Sequence, residues 1–210
     1  MKNPFSKAYP SIASRTSTGW IRPVVWLPGL LIALCLHQQP NLAAGQELIP
    51  VDPYKVEAAF LRNFAHYVTW PPQAFSENDT SWHIGILGPD PFRKYLETTF
   101  EGRMEQGRSF EIFRAERLDE LPPCQILFIA FRDAAKRRAA LEKLKNKPVL
   151  TVGEASDFLN EGGIIRFQVG DRVSMSVNLD QARHASLSIQ TKMLEVSEQV
   201  IENGAVRKMR

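Results

Sequence analysis

Few residues in this chain are of the types that make or break bonds, and their spacing decides what they can do. Beyond residue 44 the histidines are His66, His83 and His184. No two of them stand three or four apart, so no helical face carries a metal-ligand pair and no metal site is expected. Ser109, Ser156 and Ser174 lack the Gly-x-Ser-x-Gly elbow that exposes a nucleophile. No glycosidase pair can be picked out among the dispersed acidic residues. Cys124 lies in Cys124-Gln125-Ile126-Leu127-Phe128-Ile129-Ala130, an apolar run that reads as a buried strand. A thiol there is structural, because a reactive one needs exposure and an electropositive setting. The chain reads as non-catalytic, with no cofactor.

Three groups of residues remain as recognition candidates. Gly85-Ile86-Leu87-Gly88-Pro89-Asp90 follows an apolar run and has the position of a strand-end binding turn, although it lacks the Gly-x-Gly-x-x-Gly pattern. Ligands of open α/β sheets gather at strand carboxyl ends, and a helix N-terminus there offers free N–H groups. Asp90 as a cap on the following helix is the favoured alternative. A small-ligand site would use this turn together with Thr151 to Glu154. Phe60, Phe64, Tyr67 and Trp70 form the second group. An aromatic stripe at helical spacing reads first as core and second as an interface, where aromatics are enriched. The third group is Arg132, Lys136, Arg137, Arg138, Lys143, Lys145 and Lys147. It reads as a solvated helix face, or as a contact for an acidic surface or anionic lipid.

The elements that position these residues follow from periodicity and punctuation. Val56, Ala59, Phe60, Phe64, Tyr67 and Val68 have helical spacing, with Pro53 acceptable in the first turn and Trp70-Pro71-Pro72 as the stop. Strands are expected over 82–87, 110–114, 125–130, 149–152, 164–169 and 173–178. Helices are expected from Asp90 or Pro91 to Phe100, over 133–145 and over 154–160. Gly170-Asp171 joins the last two strands as a hairpin. Ile189, Met193, Val196 and Val200 predict one long final helix from Asp180 to Glu202, and residues 204–210 read as a tail. Strands separated by helices imply βαβ units. The expected fold is a single-domain α/β sandwich over 54–203: a mostly parallel sheet of five or six strands, a C-terminal hairpin edge, and helices on both faces.

The compartment is set by the start of the chain. Residues 1–44 contain Lys2, Lys7, Arg15 and Arg22 and no acidic residue, then an apolar run from Val24 to Leu36, then Ala43-Ala44-Gly45. That order describes a secretory signal peptide. The run has about 13 residues against the roughly 20 of a membrane span, so an uncleaved anchor is the weaker reading. Residues 45–53 read as a flexible start. Without the leader's four cations, 22 basic residues face 23 acidic ones, a charge of −1. A nucleic-acid partner wants a basic surplus, so none is expected. About 166 residues make one ordinary domain.

Five segments in order add a family resemblance. Ala59-Phe60-Leu61-Arg62-Asn63-Phe64 with Val68-Thr69-Trp70-Pro71 is the first, and Leu87-Gly88-Pro89-Asp90-Pro91-Phe92 the second. Cys124 to Ile129 is the third. Pro148-Val149-Leu150-Thr151-Val152 with Phe158 and Gly162-Gly163-Ile164-Ile165-Arg166-Phe167 is the fourth, and Asn178-Leu179 with Ala182 the last. Together they resemble the YfiR-like family of exported bacterial proteins over about residues 54–200. The resemblance implies a periplasmic regulator that binds the periplasmic part of an inner-membrane diguanylate cyclase, or a sensor kinase, and represses it. Cyclic-di-GMP and biofilm formation are thereby limited. It also implies a homodimer and an outer-membrane lipoprotein that sequesters the repressor. Its best-known members use two disulfides, whereas this chain keeps one cysteine after the leader, so redox control does not carry over. From these segments the candidate partner- or ligand-binding residues are Phe60, Asn63, Phe64 and Trp70, then Gly88, Asp90 and Phe92, then Thr151, Gly163 and Asn178. A periplasmic small-ligand-binding protein is the alternative function.

Overall fold

A computed structural model describes residues 51–76 and 81–209. The expected signal peptide and the first part of the flexible start lie outside the described residues. Helix α1 (Pro53–Tyr67) begins as the sequence dictates: Pro53 fills the first turn and the Asp52 carboxylate accepts from the Tyr54 N–H at 3.0 Å. Its buried positions are Glu57, Ala58, Leu61, Phe64 and Ala65, a stripe at three- and four-residue steps. The chain then passes through β1 (Val68–Thr69), β2 (Ser81–Leu87), α2 (Tyr95–Phe100), β3 (Ser109–Ala115), β4 (Ile126–Ile129), α3 (Ala134–Leu144), β5 (Leu150–Gly153), β6 (Ile165–Val169) and β7 (Val173–Asn178). It ends with α4 (Leu179–His184), β8 (Ser188–Ile189), α5 (Thr191–Glu195), β9 (Gln199–Glu202) and β10 (Ala205–Lys208).

The fold is α/β around one eight-stranded sheet in the order β10-β9-β7-β6-β5-β4-β2-β3. Strands β3, β2, β4, β5 and β6 pair in parallel, as do β7 and β9; the β6–β7 and β9–β10 pairs are antiparallel. A separate two-stranded ribbon joins β1 to β8. Alternate residues divide the core between the two faces, as a period of two requires. Trp82, Ile84, Ile86, Ile126 and Phe128 pack with α1, α2 and α4 on one face. Leu87, Leu127 and Ile129 pack with Ala140 and Leu141 of α3 and with Phe158 on the other. Phe158 lies flat between two glycines. A Cβ on Gly153 would meet its ring at 2.6 Å, and one on Gly163 would come closer still, so neither position has room for a side chain.

Several expectations are corrected. The sheet has eight strands, not five or six. The β6–β7 hairpin lies inside it, and the edge is the β9–β10 hairpin. Ala205–Lys208, expected as tail, is a strand. The single helix over 180–202 does not form. Ser186 takes φ 58° and stops α4 after His184. Met193 and Val200 are buried from two separate elements, while Val196 stays 47% exposed. Asn203 and Gly204, at φ 53° and 72°, make the tight turn that joins β9 to β10. Residues 154–160 form turns rather than a helix. The helix expected from Asp90 begins at Tyr95, because Arg93 takes φ 53° just before it.

Candidate functional site

The sheet opens at the carboxyl ends of β2 and β4. These strands are hydrogen-bonded neighbours, yet their connections leave in opposite directions: β2 leads toward α2 on one face, and β4 leads to α3 on the other. Diverging loops at adjacent parallel strands leave a crevice, which is where open α/β sheets bind ligands. Here the crevice measures about 1020 Å³. Its walls come from Pro89 to Pro91 and Arg93 after β2, Glu116 after β3, Phe131 to Asp133 with Lys136 after β4, and Glu154 to Ser156 after β5. Tyr54, from the first turn of α1, closes one side.

Behind this wall stands an unusual carboxyl pair. Glu57 follows Tyr54 by three residues, on the same face of α1. It is 0% exposed, and among the described residues no donor reaches either of its carboxyl oxygens. Its neighbour is the Glu154 carboxyl, which is exposed to the crevice. Two neighbouring carboxylates repel, which favours a proton on the more buried of them. Burial, and then the charge of Glu154, push the Glu57 carboxyl up to about 9. Burial also raises the Glu154 carboxyl, against the opposing pull of Glu57 and of the Arg132 charge. The Tyr54 phenol is raised by burial and by both carboxyls. At neutral pH the arrangement therefore holds a protonated Glu57 behind the Glu154 carboxyl.

Hydrogen bonds and ion pairs cross-link the walls. Arg137, on α3, donates to Glu161 at 2.8 and 2.9 Å and to the carbonyls of Phe131 and Arg132 at 3.2 and 2.6 Å. The side chains of this ion pair are only 6% and 7% exposed. One guanidinium thus ties the loop after β4 to the turn after β5. On the other side, Asp90 accepts from the Phe92 N–H at 2.7 Å and from Arg114 Nε at 2.6 Å. Arg114 also meets Glu97 at 2.6 Å. Gly88 takes φ 97° and faces Phe131, where a Cβ would lie 2.7 Å from the ring.

The residues read from the sequence separate into two sets. Gly88, Asp90 and Phe92 come together at the crevice, with Glu154 opposite. Of these, only Asp90 and Glu154 line it directly; Gly88 shapes the turn, and Phe92 is buried against Phe128 and Tyr54. The rest lie elsewhere in structural roles. Phe64 and half-buried Phe60 pack on Phe167. Trp70 is buried on Trp82 and donates Nε1–H to the Gln125 carbonyl at 3.1 Å. Asn63 accepts from Arg62 at 3.0 Å at the surface. Thr151 is buried and its hydroxyl accepts from the Ile164 N–H at 3.1 Å. Gly163 seats Phe158. Asn178 caps α4 by accepting from the Gln181 N–H at 3.1 Å. Arg137, expected on a solvated face, is buried instead. The Cys124 thiol is buried, which pushes it up to about 12. The residues that sequence reasoning missed are Tyr54 and Glu57. The signal was a carboxylate on the buried stripe of α1.

Residues 54–198 match a family described as YfiR/HmsC-like. The chain belongs to that family. The family comprises periplasmic proteins that regulate cyclic-di-GMP signalling, and it is regulatory rather than catalytic. No helix among the described residues is long and apolar enough to cross a membrane. No curated protein sequence matches significantly. Among solved structures, an ABC domain in complex with L-Trp from Streptococcus pneumonia is similar, at 12% identity and a TM-score of 0.45. The match covers 69% of this chain and 60% of that one, so the chain spans about 60% of that structure's length. A likeness of this size does not bear on function.

Proposed function

We propose that this protein is an exported repressor that docks on the periplasmic part of an inner-membrane diguanylate cyclase and holds it inactive. Cyclic-di-GMP and biofilm formation are limited as a result. The observation that carries this reading is the family match over residues 54–198. The cleavable leader at residues 1–44 supplies the route to the periplasm. Action is by protein contact: the cyclase, or a sensor kinase in its place, is the direct partner, an outer-membrane lipoprotein is the antagonist, and the repressor is a homodimer. Phe60 and Asn63, on the less buried side of α1, are the docking candidates that keep accessible surface. The test is affinity capture of the tagged full-length protein from detergent-solubilised membranes. Recovery of a membrane protein with a cyclase or kinase output supports the reading. Recovery of none, with an equally expressed bait, opposes it.

A second reading is favoured by the crevice itself. It is of small-molecule size, lies at the diverging ends of β2 and β4, and is lined by charged groups. The protein then binds a small periplasmic ligand, alone or as a signal that tunes the repressor. A thermal-shift screen decides this, because a ligand of the native state raises its stability by mass action.

A further inference from the structure

Several charges of the crevice are left over from the ion pairs of its walls, and their balance describes a ligand. Asp90 is neutralised by Arg114, and Arg137 by Glu161. Glu154, Glu116 and Asp133 remain on one side of the balance, and Arg93, Arg132 and Lys136 on the other. Lys136 extends over the Phe131 ring, 5.6 Å from its centroid. Equal numbers of both signs within one cavity fit neither a plain anion nor a plain cation, since either would meet as much repulsion as attraction.

The carboxyl pair decides which sign goes where. Glu154 is the one acidic group of the wall that is backed by a wholly buried carboxyl. Glu57 keeps its own proton at neutral pH. It therefore adds no second negative charge beside Glu154. A carboxylate that opens to the crevice from a partly desolvated wall suits a protonated amine, which has three N–H donors to place. Tyr54 adds a phenol on the same side. Arg132 acts on Glu154 electrostatically from the loop after β4, so the opposite charge lies within reach of the same small molecule.

We infer that this crevice binds a small dipolar ligand, with its protonated amine on the Glu154 carboxylate and its anionic end on Arg132 and Arg93. The inference rests on the small-ligand reading above and gives that ligand a chemical class. Glu57 does not touch the ligand. The loop that carries Arg132 is held by Arg137.

The test is isothermal titration of the purified protein with ω-amino carboxylates of increasing chain length, from glycine to 6-aminohexanoate. Butylamine and butyrate are the single-charge controls. At least one dipolar member is expected to bind about tenfold or more tighter than both controls, the value of one charge-assisted contact. E154Q should remove that advantage. R132A should weaken the dipolar ligand and leave butylamine unchanged. E57Q keeps an uncharged side chain behind Glu154, so it should retain the affinity. Both surface variants leave the core intact, and their thermal midpoints check that they fold. Controls that bind as tightly as every dipolar member overturn the inference, as does unchanged binding in E154Q; in either case the small-ligand reading still stands. If no dipolar member binds but another metabolite stabilises the protein in the thermal-shift screen, the assigned class is wrong. If nothing binds in either experiment, both readings fall.

Discussion

At the scale of single residues, Glu57 is the group whose chemistry the fold changes most. Its ordinary value is 4.5 and the folded protein raises it to about 9. Between those values the native state holds a proton that the unfolded chain has released. This contribution to stability is therefore complete below about pH 4.5 and is lost progressively as pH rises toward 9. Glu57→Gln keeps the shape and removes the titration. Urea unfolding should find E57Q more stable than wild type by about 1–3 kcal/mol at pH 8, with little difference at pH 4. A parallel pH dependence in both proteins would contradict the buried pair. Gly163 gives a second residue-level outcome. Gly163→Ala drives a methyl into the Phe158 ring and should cost about 1–3 kcal/mol in the same assay. The sequence marked Gly163 and Phe158 as neighbours in a motif, but not that one fills the gap left by the other. That contact depends on the turn bringing 158 back under 163, which periodicity does not encode. Glu57 was legible in principle: spacing places it among Ala58, Leu61, Phe64 and Ala65. A helical wheel shows a buried carboxylate, though not the Glu154 that faces it from nearly a hundred residues away.

At the scale of elements, local signals are legible where one pattern is present and ambiguous where two compete. Pro53 and the proline pair after Trp70 bound α1 closely, and the apolar runs of β2, β4 and β5 lie within a residue or two of their expected places. The stretch after Asn178 carried both a 3.6-residue apolar period and an Asn-Gly turn followed by Ala205-Val206. The turn won because a paired strand satisfies its backbone along the sheet edge, whereas a helix there would have to run through Ser186. Asp180 secures the outcome by accepting from the N–H groups of Asn203 and Gly204 at 2.9 and 2.8 Å. Those bonds hold its carboxyl below the ordinary range. Their support is thus present at neutral pH and lost on acidification. In Asp180→Ala the amide protons of β9 and β10 should exchange faster while those of β4 do not change. Uniform protection across the sheet would show that the turn needs no such anchor. The Arg137–Glu161 pair plays the same part between α3 and the turn after β5. Arg137→Ala leaves a buried carboxylate alone and should destabilise by about 3–5 kcal/mol, whereas the double replacement R137M/E161M should recover most of that loss.

At the scale of the whole molecule, topology leads to the site and family membership to the role. The alternation of strands and helices was enough to expect an α/β sheet with ligands at its strand ends. The order of the strands was not, and it is the order that sets β2 beside β4 and opens the crevice. Family membership gives the setting, a periplasmic regulator of cyclic-di-GMP signalling. The measurement that tests the central claim most directly is the cellular cyclic-di-GMP concentration in wild-type cells, in a deletion strain, and in that strain carrying either the full chain or residues 45–210 alone. Repression from the periplasm predicts that deletion raises cyclic-di-GMP, that the full chain restores it, and that the leaderless form does not. An unchanged concentration on deletion, or restoration by the leaderless form, would contradict it.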